Sequence, residues 1–260
     1  MYIKKTNKQL KAMSKVQLKG KRISLIAFFF LVTFIVQMCS YIIYIPTTIL
    51  SVLAPYITGI RITRAAIIGL AFIGVLILLM ASFLLYVGYY KCYLDTVIGK
   101  KPEIESLAYG FKNRPFRTFT VFFISLFILS IPYIPPLAWC FIEHQDKPEV
   151  TTITNIIFFL LLLISDIIVI YISIGLSQVF YLLVDFPRCS ASGIVKLSFR
   201  IMRGNKWRFL LLGFSFFWHY LVVFVTCGLY SIYLHPYQTT TYTNFYMDII
   251  REYTSNIEEA

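Results

Sequence analysis

Residues Ile153–Val184 read ITNIIFFLLLLISDIIVIYISIGLSQVFYLLV, an apolar run whose single formal charge is Asp166. About 20 apolar residues cross the roughly 30 Å hydrocarbon core of a bilayer as a helix. Backbone polar groups at that depth must be satisfied by the segment itself or within a closed barrel. The run exceeds what one crossing needs, so it is expected to tilt or to project into the cytoplasm. Four further runs share its character: Ile23 to about Ile45, ended by Pro46; Ala65 to Tyr90; Thr118 to Trp139; and Phe209 to about Thr226. The pattern predicts an all-α, polytopic transmembrane helix bundle.

Composition agrees. Of 260 residues, 58% are apolar, 18% aromatic and only 14% charged, whereas soluble domains average about 45–50% apolar and about a quarter charged. No linker separates the runs, so residues 23–250 are read as one transmembrane domain. It is preceded by a basic interfacial segment, 1–22, and followed by a short polar tail, 251–260. The basic stretch before the first run, and that run's length, do not fit a secretory signal. The cysteines Cys39, Cys92, Cys140, Cys189 and Cys227 are scattered, with no CxxC pair. A disulfide framework, a metal site and a cofactor are therefore not expected.

The net charge of +12 would suggest nucleic acid in a soluble chain. Its distribution says otherwise. Lys4, Lys5, Lys8, Lys11, Lys15, Lys19, Lys21 and Arg22 precede the first run. Lys91, Lys100, Lys101, Lys112, Arg114 and Arg117 follow the second. Arg188, Lys196, Arg200, Arg203, Lys206 and Arg208 follow the fourth. These alternate segments hold 20 of the 24 basic residues, while the intervening loops hold Arg61, Arg64 and Lys147. The positive-inside rule then places the N-terminus in the cytoplasm. The charge is assigned to the membrane surface, and no nucleic-acid partner is expected.

A weak repeat marks the basic segments. Ser14–Gly20 reads SKVQLKG and Ser198–Gly204 reads SFRIMRG, each followed by more cations and an apolar run; Ser106-Leu107-Ala108-Tyr109-Gly110 is a looser copy. Each reads as a short cytoplasmic amphipathic helix, a break, and a helix that enters the membrane, before spans 1, 3 and 5. Lys8, Lys11, Lys15, Lys19 and Arg22 fall at helical spacing on one face, as an interfacial helix requires. Three such elbows, each opening a hairpin, imply a sixth span at about Leu229–Ile250 after a turn at Cys227-Gly228. Its Ser231, His235, Pro236, Gln238, Thr239, Thr240, Thr241, Thr243 and Asn244 would have to face other helices rather than lipid. The alternative is five spans and an outer amphipathic tail.

Three stretches resemble the domain-of-unknown-function 975 family of bacterial integral membrane proteins. They are Ala12–Arg22; Gly88-Tyr89-Tyr90 through Gly99-Lys100-Lys101-Pro102 to Gly110-Phe111; and Ser198 through Met202-Arg203-Gly204-Asn205-Lys206-Trp207 and Ser215-Phe216 to Pro236-Tyr237 and Asn244-Phe245-Tyr246. The family pattern carries Gly-Trp shortly after the Ser-Phe pair, where this chain has Trp218-His219. The resemblance implies a protein of the bacterial cytoplasmic (inner) membrane and assigns no functional residue. Its similarity to the membrane portion of some glycerophosphodiesterases implies a lipid-facing accessory role.

Two intramembrane residues could carry chemistry. Asp166 lies deep in its run, where a carboxylate is costly unless paired, hydrated or protonated. His219, in the fifth run, could pair with it and pass protons. The bland alternatives are a hydrogen-bonded Asp that joins helices and a buried neutral His. HExxH, GxSxG and glycine-rich phosphate-loop motifs are lacking, so catalysis is not expected. Ala65, Ala66, Gly69, Gly74, Ala81 and Ser82 suit close helix packing. Tyr41, Tyr44, Tyr89, Tyr90, Trp139 and Trp207 suit the interfacial belt.

The expected role is therefore a non-catalytic one in the envelope: lipid association, protection against membrane-active peptides, or support of other membrane proteins. Its partners are the bilayer and anionic head groups, with Lys8, Lys11, Lys15, Lys19, Arg22, Arg200, Arg203 and Lys206 as candidate contacts. The alternative is a transporter or exporter component with a polar path at Asp166 and His219.

Overall fold

The computed structural model describes residues 3–57, 61–146 and 152–258. Lys147 and Glu149 of the third loop lie outside them. Among the described residues there are thirteen α-helices, one 3₁₀ turn and no strand. In order they are α1 Asn7–Gln17, α2 Arg22–Ile57, α3 Arg61–Val97, α4 Ile104–Leu107, α5 Tyr109–Lys112, α6 Pro115–Ser130, α7 Ile134–Asp146, α8 Thr152–Leu176, α9 Val179–Asp185, α10 Ala191–Met202, α11 Lys206–Phe214, α12 Phe217–Val225 and α13 Ser231–Glu258.

Five stretches are long and apolar enough to cross a membrane: 22–46, 69–97, 115–142, 154–185 and 206–225. In the apolar 18-residue heart of each, at most about a fifth is buried, and side chains such as Phe34, Ile42, Phe72, Ile77, Phe127, Phe159 and Leu163 stand exposed. Such surface would aggregate in water and is at home in hydrocarbon. The protein is a multi-pass membrane protein.

Proline does not end α2 as expected. The helix continues through Pro46 and Pro55 to Ile57. Pro46 removes the N–H that would bond Ile42 O, and membrane helices tolerate proline because neighbouring groups can re-satisfy such a carbonyl. At 36 residues α2 rises about 54 Å, well beyond the ~30 Å hydrocarbon core. The second expected span lies within the unbroken α3, and the last three are interrupted: the third at the Ile131–Tyr133 3₁₀ turn, the fourth at Ser177-Gln178 and the fifth at Ser215-Phe216.

The buried core gathers at the basic end. It takes Leu18 and Leu25 from the first elbow, Val87 to Leu94 from α3, Leu182 and Leu183 from α9, Ile194 to Met202 from α10 and Tyr237 to Ile249 from α13. The sequence dictates the small helices around it. In α1 a Thr6–Gln9 capping box starts the helix, and Leu10, Ser14 and Leu18, four apart, form the buried face. In α10 the Ser190 hydroxyl caps Gly193 N–H, and Ile194, Val195, Ser198, Ile201 and Met202 form the buried stripe.

The elbow repeat is real geometry. Gly20 and Gly204 take φ of +77° and +85° just before α2 and α11, a region that costs residues with a Cβ about 1–2 kcal/mol. In the looser third elbow Arg114, φ 52°, takes that place before α6. Because the chain turns at Gly20, Arg22 belongs to α2. The single cationic face expected from Lys8 to Arg22 is thereby divided.

α13 decides the course of the C-terminal region. It lies inside the bundle, returning antiparallel to α11 and α12 after the turn at Cys227-Gly228 (φ 49° and 89°). Arg208 pairs with Asp248, Phe209 meets Phe245 and Tyr242, and Phe216 meets Tyr237. An outer amphipathic tail is thus excluded. The helix continues through residues 251–258, and Lys4 Nζ reaches Glu252 Oε1 at 2.8 Å, so the lead into α1 and the last turns of α13 meet at the basic end. Reporters placed before Lys4 and after Glu258 should respond from the same side of the membrane. Opposite responses would contradict this return.

Candidate functional site

α13 carries unusual polarity for a buried helix, with Thr239, Thr240, Thr241, Thr243, Asn244 and Asp248 all buried. Most of this polarity is spent within the protein. Thr240, Thr241 and Thr243 donate to the carbonyls of Pro236, Tyr237 and Thr239, one turn back, at 2.7–2.9 Å. Thr243 also meets the Tyr181 hydroxyl at 3.1 Å. Asn244 Nδ2 donates to Ser14 Oγ (2.9 Å) and Gln17 Oε1 (2.7 Å), locking α1 onto α13. Tyr246 donates to Asp185 Oδ2 at 2.7 Å. Higher on α13, His235 Nδ1 lies 3.0 Å from Tyr89 Oη, which lies 2.9 Å from Tyr93 Oη, and the imidazole stacks on Phe29 at 4.1 Å.

The two expected intramembrane residues do not meet. Asp166 is exposed on α8 and accepts from Tyr133 Oη at 2.8 Å. Its neighbour Ser165 donates to Pro132 O at 2.6 Å. Together they brace the break between α6 and α7 against α8. His219 instead sits among Phe216, Tyr237 and Tyr230, with ring centroids 5.9–6.1 Å away. It is His235, a weaker candidate than His219 from sequence, that enters a hydrogen-bonded network; its placement depends on α13 entering the bundle beside Tyr89.

The basic residues divide into two groups. Lys11 is drawn inward: it donates to Ser215 O at 2.7 Å and lies 4.1 Å over the Phe216 ring, at the break between α11 and α12. Burial and the nearby Lys15 charge lower its pKa. Lys8, Lys15, Lys19, Arg200 and Arg203 are exposed, and Arg22 and Lys206 are half-buried. Arg200 donates to the Tyr253 hydroxyl at 3.2 Å, and Lys15 Nζ lies 5.7 Å over Tyr237. Exposed Val16, Ile23 and Trp207 interleave with these cations. Among the described residues no three His, Cys, Asp or Glu side chains come together as a metal site would need.

The family described as "Protein of unknown function (DUF975)" has a model that matches residues 1–252. The chain belongs to the DUF975 family. The match takes in both the elbows and the polar α13 that closes against them. No curated protein and no solved structure matches the chain.

Proposed function

We propose that this DUF975 protein is a non-catalytic, lipid-associated component of the bacterial cytoplasmic membrane. Both chain ends lie in the cytoplasm, and the basic end rests against the anionic inner leaflet. One observation carries this reading: exposed cations and exposed apolar side chains alternate on the surface of the elbows, while the polar groups behind them are largely bonded to one another. Such a surface suits the junction of head groups and acyl chains, where each cation near an anionic leaflet contributes about 1 kcal/mol. A polar transport path at Asp166 and His219 has less support, because their partners lie in different parts of the molecule.

The test is thermal unfolding of the detergent-solubilised protein with added phospholipid. A ligand that binds the folded state raises the unfolding temperature by mass action. Phosphatidylglycerol should raise it more than phosphatidylcholine, and added salt should shrink the difference. Equal shifts from the two lipids would remove the basis for the proposal.

A further inference from the structure

The two tight elbows hold the same pocket. Counted from the buried serines Ser14 and Ser198, positions five, six, eight and nine are Lys19, Gly20, Arg22 and Ile23 in one elbow, and Arg203, Gly204, Lys206 and Trp207 in the other. In both, the first cation, the glycine and the apolar residue are exposed, and the second cation is half-buried. The turns match bond for bond: Lys19 N–H donates to Val16 O and Lys21 N–H to Leu18 O, as Arg203 N–H donates to Arg200 O and Asn205 N–H to Met202 O. Each set lines an open cavity, of about 510 Å³ in the first elbow and about 480 Å³ in the second.

Each cavity is walled by a tyrosine from a different helix, Tyr233 of α13 and Tyr171 of α8. The second cation lies over that ring in both: Arg22 at 4.4 Å from Tyr233 and Lys206 at 3.4 Å from Tyr171. An aromatic face steadies a cation without neutralising it. Neither lining contains an acidic side chain. Two other cavities at the basic end do: one holds Asp248, and the other holds Asp95, Glu103 and Glu105. The third elbow also differs, because Gly110 is pressed against Leu84 O and cannot serve as an open turn.

We infer that these elbows are two pseudo-equivalent sites for the phosphodiester head group of an anionic phospholipid. This rests on the lipid-associated reading and adds its location and count. The two cations flank the glycine turn, and a helix N-terminus opens two residues beyond it, which adds positive potential. The shared chemistry is that of any phosphate. The apolar residue at position nine, 84% exposed as Ile23 and 69% exposed as Trp207, decides for lipid, since only a lipid brings an acyl chain to it.

The experiment counts phosphatidylglycerol molecules retained by the full-length protein in native mass spectrometry. Wild type should retain two, and Lys19→Gln/Arg22→Gln and Arg203→Gln/Lys206→Gln should each lose one. Lys101→Gln/Lys112→Gln, at the acid-containing cavity, should keep both. Two lipids retained by elbow variants of unchanged unfolding temperature would overturn the inference, yet leave the lipid reading standing if phosphatidylglycerol still stabilises the protein. No preference for phosphatidylglycerol in either measurement would end both. Millimolar inorganic phosphate should not displace the lipid; displacement would reassign the pockets to free phosphate and overturn the lipid assignment. Photoactivatable phosphatidylglycerol supplies an arm without variants: it should label peptides containing Ile23 and Trp207, and labelling confined to other segments would overturn the assignment.

Discussion

Gly88→Val should leave the protein unable to reach its folded form in detergent, whereas Gly69→Val should behave as wild type. A Cβ on Gly88 would lie 1.9 Å from Leu107 O and 2.5 Å from its carbonyl carbon. A Cβ on Gly110 would lie 2.2 Å from Leu84 O. The two glycines thus let α3 and the α4–α5 segment touch backbone to backbone, and neither clash can be relieved by turning a side chain. Overpacking typically costs about 1–3 kcal/mol even where side chains can adjust, so a rigid backbone clash should cost at least the upper figure. Gly69 has nothing within 4 Å of such a Cβ. Unfolding temperature and the monodisperse fraction from size-exclusion chromatography read the difference. Equal behaviour of the two variants would refute the close approach.

Asp248→Ala should be nearly as damaging, by about 3–5 kcal/mol, the range for breaking a buried ion pair. Asp248 is buried, and Arg208 Nη2 meets its Oδ2 at 2.5 Å. The same guanidinium donates to Lys5 O, and Lys5 N–H donates back to Asp248 Oδ1 at 3.3 Å. Three segments, the lead into α1, α11 and α13, close on this pair, and its removal strands an arginine in a mostly buried position. Arg208→Met/Asp248→Leu should recover much of the loss, because paired apolar replacements of similar volume are often tolerated. Chemical denaturation of the two variants tests this, and a double variant worse than Asp248→Ala would show the pair itself to be stabilising.

The spans and elbows were legible because each rests on a local property. Hydropathy needs only length, and a left-handed glycine beside a buried serine leaves a fixed spacing, as Ser14–Gly20 and Ser198–Gly204 show. Partnership was not legible. Asp166 resembles a functional carboxylate from its run alone, and its Tyr133 bond depends on the break at Pro132. His235 and Asp248 gain meaning only once α13 lies beside α3 and α11. Lys11 reads as one more surface cation until the Ser215 break in the fifth span gives it a carbonyl. The glycines at 88 and 110 lie inside a stretch that resembles the family, but the close backbone approach they permit becomes visible only in the fold.

The docking of α1 on α13 has a consequence for biogenesis. Ser14 and Gln17 leave the ribosome long before Asn244, their partner, which lies 230 and 227 residues further along the chain. α1 therefore waits, undocked, while the intervening chain is made, and its closure reports that synthesis has reached α13. A chain stopped short of Asn244 would present that unlatched helix, with Leu10 and Leu18 uncovered, to the quality-control machinery of the cell.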